Sequence, residues 1–326
     1  RGQFTGGQVS STTRSGTNAL QGSFGYLVNE PDLQFPDEES AQFGQKYTQN
    51  RVSFGLGGPV RKDAIFWFGS LQWTGRQTGL QSIISANQAI LQRNNASPDS
   101  VARFLGLIQN FRIPVSTGSV PLTSNRDGVT GLTRFDLTLG DNHTLTVRGD
   151  WNWSSQDANR ITPLSLPAHG GSLAAIGGGV MVSLSSQWDN GIINQGQLYG
   201  QRRTNDTDPF LTYPQGSVRV TSLLSDGTTG VSNLTFGGNA AMPTNSLSNL
   251  VEFSDEVSYL SSTHRIKLGT LLNVTGNDND LATNRNGSFS FNSLADFQNN
   301  TPASYTRLLT PNKQKGDAVN AAIYLG

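Results

Sequence analysis

From Thr144 to Ser154 the chain alternates almost without error between apolar and polar side chains. Leu145, Val147, Gly149, Trp151 and Trp153 take one parity; Thr144, Thr146, Arg148, Asp150, Asn152 and Ser154 take the other. A period of two sends successive side chains to opposite faces of an extended strand, so this stretch has one greasy face and one wet one. Just upstream, Thr133, Phe135, Leu137 and Leu139 oppose Arg134, Asp136 and Thr138, and Gly140-Asp141-Asn142 between the two runs has the composition of a tight turn. The two runs predict a β-hairpin. A chain made of such hairpins is confined to sheets with two unlike faces.

The unit recurs. Val180, Val182, Leu184 and Trp188 lead through Asp189-Asn190-Gly191 into Ile192 to Arg203. Val251, Phe253, Val257 and Tyr259 lead through Ser261-Ser262-Thr263 into Ile266, Leu268, Leu272 and Val274. Val52, Phe54 and Leu56 run through Gly57 to Asp63 into Ile65, Trp67, Leu71 and Trp73. In that last strand Phe66 and Phe68 fall on the opposite face, which implies burial against something inside.

The connections between hairpins are long and rich in Gly, Asn, Asp and Thr, at roughly 30–45, 75–129, 157–175, 205–248 and 276–317. Short turns on one side and long loops on the other form the pattern of an outer-membrane barrel. A strand of about twelve residues, rising about 3.3 Å each and tilted near 45°, spans an apolar band of about 25 Å. The expectation is an all-β, antiparallel transmembrane β-barrel, partial and of about ten strands, with short periplasmic turns and long extracellular loops. A soluble antiparallel sandwich also alternates, but its strands are usually shorter and its loops do not sort by side.

Composition agrees. Only 14% of residues are charged and 35% are hydrophobic, whereas glycine alone supplies 37 residues and aromatics reach 9%. A soluble enzyme of this size usually carries about a quarter charged residues, and a disordered chain shows charge imbalance and few aromatics. The formal net charge of zero gives no reason to expect a nucleic-acid partner. With no cysteine, disulfides, thiolate metal sites and a cysteine nucleophile are excluded. The longest apolar run, Leu173 to Leu184, is interrupted by glycines and is far short of the roughly twenty residues of a membrane helix. Membrane residence therefore requires a closed barrel. Arg1 opens no signal peptide and Gly326 stops within an apolar run, so the chain is expected to be part of something larger.

One helix is expected inside the second long loop. Ser97 caps it, Pro98 suits the first helical position, and Asp99 sits at the positive end. Val101, Phe104, Leu105, Ile108 and Phe111 then recur at helical spacing until Pro114. Such a helix either contacts ligand or pins the loop to the barrel rim.

No catalytic, cofactor or metal constellation stands out. His143, His169 and His264 are scattered, and none has a second ligand at metal spacing. Gly177-Gly178-Gly179 and Gly55 to Gly58 lack the Lys-Ser/Thr pair of a phosphate loop; in a barrel, glycine marks bends or close neighbours. Asn277 to Asp280 lacks the spacing and distal Glu of a calcium loop and reads as a hydrated surface loop. Arg134, Asp136, Arg148 and Asp150 are expected to face the lumen, as a solute path or as a ladder of cross-strand charge pairs.

Three segments resemble the TonB-dependent receptor family, and within it the Oar-like group. Gly7-Gln8-Val9-Ser10-Ser11-Thr12-Thr13-Arg14-Ser15-Gly16-Thr17-Asn18, followed by Gly22-Ser23-Phe24, resembles the end of the plug domain and the start of the barrel, with Arg14 where the family more often has Lys. Phe54 to Asp63, then Phe66-Trp67-Phe68-Gly69-Ser70, is similar to the family's glycine-glycine-proline hairpin. Arg134-Phe135-Asp136 with His143 to Arg148 resembles a third, weaker hairpin motif. Ser288-Phe289-Ser290-Phe291 with Leu294-Ala295-Asp296-Phe297 resembles a loop segment of Oar-like members. A full member has about twenty-two strands around a plugged lumen.

The resemblance implies that residues 1–15 end a plug, that 16–326 begin the barrel, and that Thr13, Arg14, Ser15, Gly16, Thr17 and Asn18 form the plug–barrel junction. It further implies a protein of the Gram-negative outer membrane, lying in its lipid and energised by the TonB complex. That protein imports an unknown, scarce or bulky extracellular solute: a siderophore, glycan or peptide. It would be no enzyme and would use no cofactor. The loops near 75–129 and 205–248 are the expected ligand contacts, through Phe104, Phe111, Phe210 and Tyr213. The alternatives are a passive porin or adhesin barrel, and a soluble carbohydrate-binding β protein.

Overall fold

A computed structural model describes residues 13–36, 46–261, 263–281, 283–310 and 313–326. The part of the first family-like segment at Gly7 to Thr12 lies outside them, as does Ser262 of one expected turn.

Ten strands form one sheet: β1 (Gln21–Asn29), β2 (Tyr47–Arg61), β3 (Ile65–Gly79), β4 (Thr123–Leu139), β5 (His143–Asn159), β6 (Gly171–Gln187), β7 (Ile192–Pro209), β10 (Thr244–Leu260), β11 (Arg265–Leu281) and β14 (Lys313–Leu325). Neighbours are antiparallel and follow chain order. At one end the connections are tight: 62–64, 140–142, 188–191 and 261–264. Gly140 at φ 68° and Gly191 at φ 83° supply left-handed turn positions that a side chain would disfavour. At the other end the chain makes its excursions, at 30–46, 80–122, 160–170, 210–243 and 282–312.

The alternation sorts as expected. Val147, Trp151 and Trp153 share a face with Trp67, Trp73, Val129 and Phe135, and that face is left uncovered, with Trp151 47% exposed. Among the described residues no second layer packs on it, as a sandwich would require. It is a surface shaped for lipid. The row of register partners through Tyr26, Val52, Trp73, Val129, Trp153 and Ile176 is apolar, but it continues to Asp278 and Lys315. On β14 the apolar run lies instead at Val319 to Leu325, about seven residues further on. A drift of about 3.3 Å per residue, set against ten strands spaced about 4.8 Å apart, corresponds to a lean of roughly 30° between strands and the apolar band. The lean of a membrane barrel is thus written into the side chains.

Glycines recur where a ring lies across the neighbouring strand. Gly57 faces Phe68, Gly131 faces Trp151, and Gly269 faces Tyr324. A methyl on any of the three would meet that ring. This accounts for Phe68: on the face opposite the tryptophans it covers Gly57 and lies near Gly55.

Two expectations require correction. β2 to β7, β10 and β11 run 15 to 18 residues, longer than the apolar band needs. Their outer ends are polar on both faces and fall within the stretches expected as loops. Asn277 to Asp280, expected as a hydrated loop, is the end of β11: Asp278 pairs with Lys315 at 3.0 Å and Asp280 with Arg285 at 3.4 Å.

The long excursions are not structureless either. They contribute a second, four-stranded sheet from β8 (Gln215–Leu223), β9 (Thr229–Gly237), β12 (Ser288–Phe291) and β13 (Ser304–Thr306), in the order β13-β12-β8-β9, with β12 parallel to β8. Helices α1 (Gln88–Arg93), α2 (Pro98–Asn110) and α3 (Leu294–Gln298) complete a cap. Ser97 Oγ accepts from the Ser100 N–H and caps α2 as expected. Ile83, Phe104, Ile108, Leu166, Val218, Leu234 and Phe297, drawn from four different excursions, form one buried cluster. The dry core therefore lies in the cap, and α2 anchors to other loops.

Candidate functional site

Residues 13–20 run against the inner side of the first hairpin before β1 begins. Asn18 Nδ2 donates to Asp63 Oδ1 at 2.5 Å, and the Asp63 N–H donates back to Asn18 Oδ1 at 2.9 Å. Asp63 occupies the β2–β3 turn at φ 59°, a conformation that Asp and Asn tolerate best among residues with a side chain. Gly16 lies on backbone: a Cβ there would sit 2.8 Å from both the Gly58 carbonyl and the Trp67 nitrogen, and closer still to the Trp67 carbonyl. Gly58 in turn makes room for Leu20, whose Cα would lie 3.1 Å from an added methyl. The first two family-like segments are thus two halves of one contact.

Arg134 closes the other side. Its Nη1 donates to Thr13 O at 2.9 Å and Thr13 Oγ1 at 2.8 Å, while Nε and Nη2 donate to the Asp136 carboxylate at 2.9–3.0 Å. Thr146 Oγ1 donates to Asp136 Oδ1 at 2.7 Å, so the carboxylate holds the guanidinium with one edge free for the passing chain. Arg14, Ser15 and Thr17 line a cavity of about 290 Å³ with Gln21, Ser23 and Phe68. Arg134 and Arg148 are direct register partners, an arrangement that would repel. Each is offset by the Asp two residues along its own strand: Arg134–Asp136 at 2.9 Å and Arg148–Asp150 at 3.9 Å. The expected cross-strand pairs are instead pairs along the strand, on the face opposite Trp151 and Trp153. No sequence signal tied Asp63, Gly58 or Thr146 to this site, because each contact spans a register that only folding defines.

The four loop aromatics divide. Phe104 is fully buried against Phe236 and Phe297, with ring centroids 6.1 and 6.0 Å away, so it anchors the cap and presents no ring to a ligand. Phe111 is 44% exposed with one edge on Phe297, Tyr213 is exposed, and Phe210 is half-buried. His169 is buried in the short turn Pro167–His169, its Nε2 3.5 Å from Asn239 Nδ2; burial pushes its pKa down. His143 stacks edge-on to Trp188, and His264 bonds Thr263. Among the described residues no three His, Asp or Glu side chains gather as a metal site would.

A family described as "Outer membrane beta barrel domain" matches residues 85–326. The outer membrane transporter YddB from Escherichia coli shares the fold with a TM-score of 0.60 at 12% identity, over 95% of this chain and 37% of that one. The ferric yersiniabactin uptake receptor FyuA from Yersinia pestis aligns at a TM-score of 0.46 and 10% identity, over 95% of this chain and 40% of that one. The chain thus spans 37% and 40% of the lengths of these two solved structures. No curated protein sequence matches at a significant level. The chain belongs to the outer-membrane β-barrel family and resides in the outer membrane of a Gram-negative bacterium.

Proposed function

We propose that the chain is the plug exit and first strands of a TonB-dependent receptor, placed in the Oar-like group by its Ser288–Phe297 segment, that imports a scarce or bulky solute and catalyses no reaction. The observation carrying this is the strap at residues 13–20, held by Asn18–Asp63 at one end and Arg134–Thr13 at the other. A passive pore has no need of a segment held against its inner wall. A receptor whose plug is pulled needs the junction to stay put while the plug moves. The solved structure named as an outer membrane transporter supports the reading, and the cap offers Phe111 and Tyr213 as exposed rings near an incoming solute.

Uptake by cells with and without the protein tests it, using radiolabelled ferric siderophores, oligosaccharides and short peptides in the presence and absence of a protonophore. Import of one class that the protonophore abolishes supports energised uptake. Entry of small sugars that the protonophore leaves unchanged marks a passive pore and refutes it.

A further inference from the structure

Charges on the inner face, opposite the tryptophans, are sorted by height. Toward the tight turns they come in pairs: Arg134 holds Asp136, Arg148 holds Asp150, and Lys267 holds Glu256. Toward the long excursions the register places Arg51, Arg76, Arg126 and Arg203 on that face, and the described strands set no Asp or Glu on it at that height. All four arginines are exposed, and among the described residues no carboxylate pairs with any of them.

Three of the four lie on adjacent strands. Arg76 and Arg126 are direct register partners on β3 and β4, and Arg51 on β2 is the partner of Thr74, one inward-facing position below Arg76. Like charges directly opposite one another destabilise a sheet. Arg134 and Arg148 share that arrangement but are relieved by an aspartate on each strand, whereas Arg76 and Arg126 have no such relief. Arg76 is also held in place. Its guanidinium lies 3.9 Å from the centre of the Tyr47 ring, a stacking that fixes its plane and leaves its N–H edge free.

A cation cluster that the fold leaves unneutralised, on a wall of low dielectric, draws anions and holds them by charge-assisted hydrogen bonds. We propose that Arg51, Arg76 and Arg126 form an entry site for an anionic solute, one whose carboxylate or phosphate groups bridge Arg76 and Arg126. The inference rests on the import reading and narrows it to acidic cargo, which removes neutral glycans from the candidates.

Isothermal titration of the purified full-length protein in detergent, at about 0.15 M salt, tests it with citrate, tripolyphosphate and maltotriose as probes. The two anions bind and maltotriose does not, and the tighter anion identifies carboxylate or phosphate as the preferred group. Arg76→Gln and Arg126→Gln each weaken anion binding roughly five- to tenfold. Arg202→Gln removes the same charge from the outward-facing row of β7, where Gly178 links it to Trp151, and leaves binding unchanged. Without any anion, Arg126→Gln raises the urea midpoint because it relieves the repulsion with Arg76. The proposal is overturned if neither anion binds, if maltotriose binds as tightly, or if Arg202→Gln weakens the anions as much as Arg76→Gln and Arg126→Gln do. Anion binding unaltered in those two variants overturns it as well. The assay needs no energised membrane, so its failure leaves the protonophore result to decide the import reading separately.

Discussion

Phe104→Ala separates the cap from the wall beneath it. The ring is fully buried in a cluster drawn from four excursions, touching Phe236 and Phe297, and a cluster pinned by the four-stranded sheet and three helices has little freedom to collapse into the void. A buried Phe→Ala change of this kind costs about 3–5 kcal/mol. That corresponds to roughly a hundred- to several-thousandfold rise in local opening. Phe111→Ala is the matched control: the ring is 44% exposed and has one aromatic partner, so about 1–2 kcal/mol is expected. Hydrogen–deuterium exchange reads the outcome residue by residue. Amides of β8 and β9, at Val218, Val220 and Leu234, should exchange at least a hundredfold faster in Phe104→Ala and about tenfold faster in Phe111→Ala. Amides of β5 and β6, at Val147 and Val182, should not change. Equal acceleration in cap and wall would show one cooperative unit and refute the separation.

Gly131→Val drives a side chain into the space occupied by the Trp151 ring and should lower stability by about 1–3 kcal/mol, read as a lower urea midpoint. Asp255 lies on the lipid-facing parity of β10 between Phe253 and Val257, bonded to Asn194 at 2.7 Å. Replacing both polar residues by Leu should raise stability by about 1 kcal/mol, read as a higher urea midpoint, since a carboxylate against lipid is unfavourable; a lower midpoint would place that face elsewhere. His169 has a depressed pKa from burial, so below about pH 6.5 the opened cap takes up a proton that the closed cap refuses. The stability contributed by neutral His169 is complete above that pH and is lost as pH falls toward the folded value. Cap exchange, corrected for intrinsic rates, should therefore accelerate between pH 7.5 and 5, and His169→Gln should remove the dependence.

The hairpins were legible because each is local: Thr144 to Ser154 states its own periodicity, and Gly140-Asp141-Asn142 states its own turn. α2 was legible for the same reason, since Ser97, Pro98 and the spacing of Val101, Phe104 and Ile108 lie within four turns. The outer ends of the strands were not, because alternation of apolar residues stops where a strand leaves lipid. Asn205, Asp206 and Asn277 to Asp280 keep the ladder with side chains polar on both faces. The cap was hidden for another reason. Val218 and Phe291 meet through a parallel pairing of segments some seventy residues apart, and such contacts leave no local trace. The β8–β9 hairpin does leave one, in Val218 and Val220 and the turn at Asp226-Gly227, but the surrounding Gly, Asn, Asp and Thr give the stretch the composition of a polar loop. The junction lay between these extremes. Both of its motifs were visible, and only the fold showed that Asn18 of one grips Asp63 of the other.

Whether the tryptophan face meets lipid is decided most directly by depth-resolved fluorescence quenching of the protein in bilayers. Four of the five tryptophans, Trp67, Trp73, Trp151 and Trp153, share one face of the sheet. Bromine carried on lipid acyl chains should quench most of the emission, while aqueous iodide should reach little beyond Trp188 in its turn. Emission that iodide quenches and brominated chains leave untouched would turn the wall inside out.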